Sequence, residues 1–87
     1  MSKQIVFSSK AWEDYQYWIN SDPKIAIKIN KLIKDIERDP FQGLGKPEAL
    51  KYAFSGWWSR RIDQENRLIY KFQNDSIVIL NCRYHYC

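Results

Sequence analysis

The sequence has few of the residues that build disulfide frameworks and metal centres. It contains two cysteines and one histidine among its 87 residues. Cys82 and Cys87 are too few for a disulfide scaffold, and no spacing of cysteine and histidine suggests a zinc site. We therefore expect a protein that needs neither a metal nor another cofactor.

Long apolar runs are also missing. The longest unbroken aliphatic run, residues 77–80, is far shorter than the ~20 residues that a membrane-spanning helix needs. The first residues contain no apolar segment of signal-peptide length. These absences predict a cytoplasmic protein with no membrane partner.

The residues that are present suffice for one folded domain. Domains usually have roughly 100–200 residues, so the length predicts a single domain over residues 1–87. Hydrophobic residues make up 45% of the chain and aromatic residues 16%, which excludes a disordered tail. The formal net charge is +4, and most arginines lie in the second half. Grouped arginines suggest a polyanionic partner, although a solvated basic surface explains the charge equally well.

The first half of the chain predicts a strand followed by two helices. Residues 4–7 form a short apolar run bounded by polar residues, which is typical of a strand. Ser8 then offers an N-cap for a helix that ends near Asp22. Asp22, as N-cap, and Pro23 begin a second helix. Its apolar residues recur at helical spacing on one face until Asp39, where the following proline ends the helix.

The second half predicts an antiparallel meander. Residues 40–49 contain two glycines and two prolines, which indicates a loop. After the loop, three segments alternate with the period of two that strands have. These segments are residues 57–62, 67–72 and 77–84. Residues 50–54 are either a further short strand or a helical turn. The order predicts an α+β domain: an N-terminal strand, two α-helices on one sheet face, and a three- to four-stranded antiparallel meander.

Arginines occupy interior positions of the predicted strands. They are Arg60, Arg61, Arg67 and Arg83. Strand arginines between apolar neighbours usually lie on an exposed face, so we expect several of them to gather there. The sequence leaves open which of them share a face, because one residue more or less in either hairpin loop reverses the faces.

The residues capable of acid–base chemistry are dispersed along the chain. They are Glu48, Arg61, Arg67, His85 and Tyr86, with Lys46 and Lys51 beside Glu48. A carboxylate, an imidazole and arginines suit RNA cleavage by internal transesterification. There, a base deprotonates the ribose 2′-OH, an acid protonates the departing 5′-oxygen, and arginine stabilises the phosphorane. The alternative from residue types alone is a small basic binding module, with Glu48 paired to a neighbouring lysine and His85 solvated.

Four separated segments resemble one known family. They are Gly-Leu-Gly-Lys-Pro-Glu-Ala-Leu-Lys at 43–51, Ser-Gly-Trp-Trp-Ser-Arg-Arg-Ile at 55–62, Asn-Arg-Leu-Ile-Tyr at 66–70 and Cys-Arg-Tyr-His-Tyr at 82–86. In order and spacing they closely resemble the YoeB (Txe) toxins of the RelE/ParE superfamily of toxin–antitoxin systems. The two helical segments fit the same pattern, so the resemblance covers essentially the whole chain.

This resemblance implies a RelE-like fold and a specific activity. The activity is that of a ribosome-dependent mRNA endoribonuclease, or mRNA interferase, which cuts the codon in the ribosomal A site and so inhibits translation. By the matching motifs, Glu48 resembles the general base, His85 the general acid and Arg67 the transition-state stabiliser. The residues implied in contacts to phosphate or substrate are Arg61, Lys51, Lys46 and Tyr86, of which Tyr86 is alternatively an acid-orienting group. The implied partners are the ribosome, mRNA, a YefM-type antitoxin and a second copy of the chain.

Two non-catalytic functions stay open within the superfamily. One is a ParE-like poison that binds DNA gyrase, and the other is a degenerate module that only binds its antitoxin. Neither needs an acid, a base and an arginine, so the set Glu48, Arg67 and His85 favours the nuclease.

Overall fold

The computed structural model describes residues 3–84. In this part of the chain the elements are, in order, β1 (Gln4–Phe7), α1 (Ser9–Ser21), α2 (Pro23–Arg38), β2 (Glu48–Ala49), a 3-10 turn (Tyr52–Phe54), β3 (Trp58–Arg61), β4 (Arg67–Gln73) and β5 (Ser76–Asn81). This order confirms the α+β class, with an N-terminal strand, two helices and a meander.

The strands form one five-stranded sheet in the order β1-β5-β4-β3-β2. Strands β2 to β5 are successive antiparallel neighbours, which confirms the predicted meander. Strand β1 lies parallel to β5, with Ile5 opposite Ile77. The first and last strands are therefore adjacent, and the helices form the connection that leads away from β1.

The helix ends follow from local capping chemistry. Ser8 is the N-cap of α1, and its Oγ accepts a hydrogen bond from the backbone N–H of Ala11 at 3.0 Å. Asp22 ends α1 and precedes Pro23, the first residue of α2. Within the described residues, the Asp22 side chain makes no capping hydrogen bond, so the fixed φ of proline and not an Asx cap begins α2. Neither helix of the described chain is long and apolar enough to cross a membrane.

Both helices cover one face of the sheet and form the core there. The apolar stripe of α2 includes Ile29, Leu32 and Ile36, each 0% exposed. These side chains belong to one buried cluster with Leu68 and Tyr70 of β4. Because α2 is charged outside this stripe, burial of the stripe against the sheet fixes the orientation of the helix.

Two predicted segments differ from the structure by two residues or more at one end, and the other strand ends differ by at most one. The segment 40–49 was expected to be a loop throughout, but Glu48 and Ala49 pair with β3 as a short edge strand. The segment 77–84 was expected to be one strand, but β5 ends at Asn81. Beyond it, the N–H of Cys82 donates to the carboxylate of Asp14 at 3.0 Å, which removes that residue from the strand ladder. For residues 50–54, the structure has a helical turn.

The expectation of an exposed face is wrong for Arg60. This residue is 0% exposed and lies in the core beside Tyr70, whose hydroxyl accepts from Nε of Arg60 at 3.0 Å. Its Nη1 contacts a carboxylate oxygen of Asp35 on α2, and its Nη2 donates to the carbonyl of Asp39 at 2.6 Å. A buried guanidinium requires such partners, so Arg60 fastens α2 and the following loop to β3.

The partly buried carboxylate of Asp35 completes this network. Its Oδ2 accepts from the backbone N–H of Leu44 at 2.8 Å. The hydrogen bonds from Leu44, Arg60 and Arg38 lower the pKa of Asp35 to about 2, against the opposing effect of burial. The loop that leads from α2 toward β2 is therefore held in place by one charged pair and its hydrogen bonds.

Candidate active site

The strand register determines which polar residues share the face of the sheet away from the helices. Glu48 of β2 lies opposite Ser59 of β3, and Ser59 lies opposite Ile69 of β4. The next pair along the same strands is Arg61 opposite Arg67. Residues directly opposite each other, and residues two positions apart on one strand, point to the same side. We call this side the outer face and define it by Glu48, Ser59, Arg61, Arg67 and Ile69.

Strand geometry sets the scale of this site. Neighbouring strands lie ~4.8 Å apart and each residue advances ~3.4 Å, so the Cα atoms of Glu48 and Arg67 are separated by about 12 Å. Both side chains are long enough to reach toward a common group between them. Ser59 is 4% exposed and Ile69 is 0% exposed, so they form the floor. The arrangement accommodates a phosphodiester flanked by a carboxylate and two guanidinium groups.

The carboxylate of Glu48 is exposed and unpaired among residues 3–84. The described ion pairs do not include Glu48, so the alternative in which it pairs with Lys46 or Lys51 is not what the structure has. Residues 48–52 line an open depression of about 260 Å³, so Lys51 borders the same space as Glu48. Lys46 is exposed but does not line this depression. A free carboxylate beside open space is suited to accept a proton.

The approach of the chain to Glu48 is fixed by Gly45. The carbonyl of Gly45 accepts from the N–H of Arg61 at 2.6 Å. Gly45 has a φ of +77°, and a Cβ there would lie 2.9 Å from the carbonyl oxygen of Arg61. Only glycine allows both the backbone conformation and this close approach to β3. The contact sets the position from which the chain continues to Glu48.

Arg61 and Arg67 place two positive charges side by side on the outer face. They lie directly opposite each other in the β3–β4 ladder. Like charges in this position destabilise a sheet. Within the described chain, neither guanidinium has a carboxylate partner. Two unneutralised guanidinium groups on directly opposite residues are chemically suited to an anion such as phosphate.

The guanidinium of Arg67 forms hydrogen bonds with the turn that precedes β4. Its Nη1 donates to the backbone carbonyl of Asp63 at 2.7 Å and to that of Asn66 at 3.1 Å. These bonds restrict the side chain without neutralising its charge. A side chain whose orientation is already limited loses less entropy when it binds an anion.

The chain that follows β5 continues beside β4 and is held by hydrogen bonds at Cys82 and at Tyr84. At Cys82, the carbonyl accepts from Nε1 of Trp18 at 2.9 Å, besides the bond between the Cys82 N–H and Asp14. At Tyr84, the carbonyl accepts from the N–H of Arg67 at 2.9 Å. His85 and Tyr86, the predicted acid and the predicted stacking or orienting residue, lie outside the described residues.

Arg83 has a structural position between the two residues held by these hydrogen bonds. Its guanidinium carbon lies 3.5 Å from the ring centroid of Tyr17 and 4.5 Å from that of Tyr84. Such cation–π contacts stabilise a guanidinium between two rings. Arg83 therefore packs against α1, and it is not part of the group formed by Arg61 and Arg67.

Three residues that position the site were not anticipated from the sequence. Asp14 is 3% exposed, interacts with Lys10 and binds the N–H of Cys82. Its one detectable sequence feature is its place on the same helical face as Ala11 and Trp18, where an acidic residue is unexpected. Asp63 has only the ordinary composition of a turn, whereas Asn66 begins the segment 66–70 of the family resemblance, which implied no role for it.

Burial makes the Cys82 thiol chemically inert in the folded chain. The residue is 0% exposed, and burial, with the nearby Asp14 charge, raises the pKa of its thiol to about 12. Because the thiolate is the reactive form, Cys82 contributes packing and not nucleophilic chemistry.

Comparison with known proteins first defines the class of fold. The chain superposes on a chain of the RelBE2 toxin–antitoxin complex of Mycobacterium tuberculosis with a TM-score of 0.72, over 98% of this chain and 100% of that one. The identity is 22%, so this likeness establishes the RelE-like fold alone.

Closer relatives define the family. The model of the YoeB-like toxins of bacterial type II toxin–antitoxin systems matches residues 7–86. A YoeB toxin of Streptomyces coelicolor is 57% identical over 95% of this chain and 99% of its own length. The YoeB dimer from Staphylococcus aureus is 45% identical, with a TM-score of 0.92 over 99% of this chain and 100% of that one. A heterotetrameric YoeB–YefM complex from the same organism gives a TM-score of 0.90 at 45% identity, over the same shares of the two chains. The chain belongs to the YoeB-like toxin family, which confirms the resemblance.

Proposed function

We propose that this protein is an mRNA endoribonuclease that cuts the codon in the ribosomal A site and so inhibits translation in the cytoplasm. The observation that carries the proposal is the register of β2, β3 and β4. It brings Glu48, Arg61 and Arg67 to one face, although the sequence separates them. A proton acceptor beside two uncompensated guanidinium groups is what cleavage of a phosphodiester by its own 2′-OH requires.

In the proposed reaction, Glu48 accepts the proton of the ribose 2′-OH. The 2′-oxygen attacks the adjacent phosphorus, and the bond from phosphorus to the 5′-oxygen breaks. Arg67 stabilises the charge of the phosphorane, and Arg61, Lys51 and Lys46 hold neighbouring phosphates. The reaction balances without a metal, because Glu48 takes one proton and a general acid returns one.

His85 is the proposed acid for the departing 5′-oxygen, and Tyr86 is proposed to stack on a base or to orient His85. Both follow from the family motif and lie outside the described residues. The support available from the structure is the anchoring of Tyr84, the residue before His85, to the backbone of Arg67.

The openness of the site supports dependence on the ribosome. The depression beside Glu48 is open to solvent, and within residues 3–84 α1 and α2 pack against the opposite face of the sheet. Such a surface has few walls with which to hold a flexible RNA. The ribosome already holds its mRNA in place, so the ribosome and not the toxin bears much of the entropic cost of aligning the RNA.

The proposed protein partners are a YefM-type antitoxin and a second copy of the chain. The relative from Staphylococcus aureus forms a complex with YefM and also occurs as a dimer. A net charge of +4 and the arginines of the outer face favour an acidic antitoxin segment that lies over the site.

Primer extension on a defined mRNA tests the activity. Purified toxin is incubated with naked RNA and with ribosomes programmed to hold a known codon in the A site. We expect cleavage only on the ribosome and only at that codon. Cutting of naked RNA alone would indicate a free ribonuclease. With folded toxin and no cutting in either sample, inhibited DNA supercoiling by gyrase would instead support the ParE-like alternative.

The chemistry has its own test, because the proposed nucleophile is the 2′-OH of the nucleotide before the cut. We expect products with a 2′,3′-cyclic phosphate and a 5′-hydroxyl. A single 2′-deoxy substitution at the cleaved nucleotide should abolish cutting there, while the same substitution two nucleotides upstream serves as the control. Continued cleavage at the deoxy position would exclude this mechanism.

A further inference from the structure

The turn between β3 and β4 contains a buried amide with a fixed orientation. Asn66 is 8% exposed, and its Oδ1 accepts from the backbone N–H of Tyr84 at 2.7 Å. Its Nδ2 donates to the two carboxylate oxygens of Asp63 at 3.1 Å and 3.2 Å. All the polar atoms of this side chain therefore have partners.

Asp63 decides which way the amide points. Its carboxylate accepts hydrogen bonds only, so it selects the NH₂ end of Asn66 and leaves the oxygen for Tyr84. The opposite orientation would set the amide oxygen against the carboxylate and the NH₂ group against the Tyr84 N–H. Asp63 is itself held, because its Oδ1 also accepts from the backbone N–H groups of Glu65 at 2.9 Å and Asn66 at 2.7 Å.

Hydrogen bonds from this turn and the start of β4 hold both backbone polar groups of Tyr84, and the turn also binds the side chain of Arg67. The N–H of Tyr84 donates to Asn66, and the carbonyl of Tyr84 accepts from the N–H of Arg67. The guanidinium of Arg67 donates to the carbonyls of Asp63, Gln64 and Asn66. One turn thus sets the position of a proposed catalytic side chain and of the backbone that comes directly before the proposed acid.

Tyr84 is held in a conformation that needs such support. Its φ is +63°, in the left-handed region that costs a non-glycine residue roughly 1–2 kcal/mol. Strained residues persist where the surrounding structure imposes their conformation, and they occur often at functional sites. The two hydrogen bonds at Tyr84 provide that constraint.

We propose that Asn66, oriented by Asp63, is a positioning residue for general acid catalysis. It fixes the backbone of Tyr84 against Arg67, and Tyr84 directly precedes the proposed acid His85 in the sequence. The inference rests on the proposed function, because it requires His85 to act as the acid.

The test compares two leaving groups in single-turnover cleavage on programmed ribosomes. One mRNA has the ordinary 5′-oxygen at the cut, and the other has a bridging sulfur at that position. When the 2′-oxygen attacks, the bond from phosphorus to sulfur breaks and the sulfur leaves as a thiolate with the electron pair. A thiolate is stable without an added proton near neutral pH, whereas an alkoxide is not, so the sulfur substrate needs no acid.

Asn66→Ala should slow cleavage of ordinary RNA by about 10²-fold, which is the scale of a 1 Å misplacement of a catalytic group. On the sulfur substrate, Asn66→Ala and His85→Ala should both cleave at nearly the wild-type rate. Glu48→Gln should be slow on both substrates, because it affects the base. A defect in overall folding would slow both substrates equally.

Two further variants guard against an effect of stability alone. Asp63→Asn keeps an acceptor for the turn but loses the charge that orients Asn66, so it should show a smaller defect with the same recovery on sulfur. Ile33→Val removes one methyl group from the buried cluster and lowers stability, yet it should cleave both substrates normally.

The outcomes distinguish failure of the positioning role of Asn66 from failure of the proposed acid role of His85. If His85→Ala recovers on sulfur but Asn66→Ala does not, the positioning role of Asn66 is wrong and the acid assignment stands. If Asn66→Ala cleaves ordinary RNA at the wild-type rate, the positioning role is likewise wrong. If His85→Ala stays slow on sulfur, the acid assignment fails and the inference fails with it.

Discussion

Arg60 and Arg61 are neighbours in the chain with opposite surroundings. Arg60 is fully buried, and its guanidinium contacts Tyr70, Asp35 and loop carbonyls. Arg61 is exposed on the outer face opposite Arg67. The alternation of a strand accounts for the difference, since consecutive side chains point to opposite faces. One arginine therefore belongs to the fold, and the other to the proposed site.

The ion pair between the partly buried Asp35 and the buried Arg60 predicts a specific response to acid. Hydrogen bonds lower the pKa of Asp35 from 3.8 to about 2. A carboxyl group with a lowered pKa stabilises the fold above its unfolded-state pKa, and this contribution is lost as the pH falls from about 4 toward 2. Asp35→Asn should therefore be less stable than wild type at neutral pH, and the difference should shrink across that interval.

Urea unfolding at a series of pH values measures this effect. Asp22→Asn is the matched control, because within the described chain the Asp22 side chain makes no capping hydrogen bond. It should change the free energy of unfolding little at any pH. A difference between wild type and Asp35→Asn that stayed constant from pH 6 to pH 2 would contradict the assignment.

At the scale of elements, the helices were the most predictable part. Pro23 and the residues around Asp39 gave both ends of α2, because proline restricts the backbone of its own and the preceding residue. The two-residue strand β2 was missed, because a segment so short has no measurable period and lies among glycines and prolines. The end of β5 was missed because the alternation continues past Asn81, while a side chain distant in sequence, that of Asp14, takes the N–H of Cys82.

The placement of β2 depends on Gly45, and Gly56 offers a matched comparison. Both have positive φ, +77° at Gly45 and +94° at Gly56. A Cβ at Gly45 meets the backbone of Arg61 at 2.9 Å, whereas at Gly56 the nearest atom is Cε of Lys71 at 3.9 Å. Gly56→Ala should cost about 1–2 kcal/mol for its backbone conformation alone. Gly45→Ala should cost roughly 1–3 kcal/mol more, because the clash moves the chain.

Cleavage assays extend the comparison to function. Gly45→Ala should also slow cleavage on the ribosome, because it displaces the chain that leads to Glu48. Gly56→Ala should retain the wild-type rate under conditions where it is folded. Equal rates for the two folded variants would show that the contact between Gly45 and β3 does not position Glu48.

At the scale of the whole molecule, the sheet separates two tasks. Its inner face packs against α1 and α2 and holds the core, while its outer face carries charged groups that the core does not need. The fold class and the order of elements were predictable, because periodicity and capping are local properties. The set of residues on the outer face was not predictable from the sequence. A shift of one residue in either hairpin would have turned Arg60 to the outer face and Arg61 to the inner face.

The candidate site was also predictable only in part: the charged residues were, and the residues that support them were not. Residue types and the family resemblance selected Glu48, Arg61 and Arg67, and the register places them on one face. The supporting residues Asp14, Asp63 and Asn66 were not predictable, since each acts through contacts with chain segments that are remote or irregular. The proposed roles of His85 and Tyr86 concern residues outside the described part of the chain.

The most direct test of the central claim is the single-turnover rate of A-site cleavage by variants of the outer face. We predict that Glu48→Gln and Arg67→Ala each reduce this rate by about 10²–10⁴-fold while the protein stays folded. Glu13→Gln, an exposed carboxylate on α1 far from this face in the fold, is the control and should cleave at the wild-type rate. A folded Glu48→Gln variant that cut the A-site codon as fast as wild type would contradict the account.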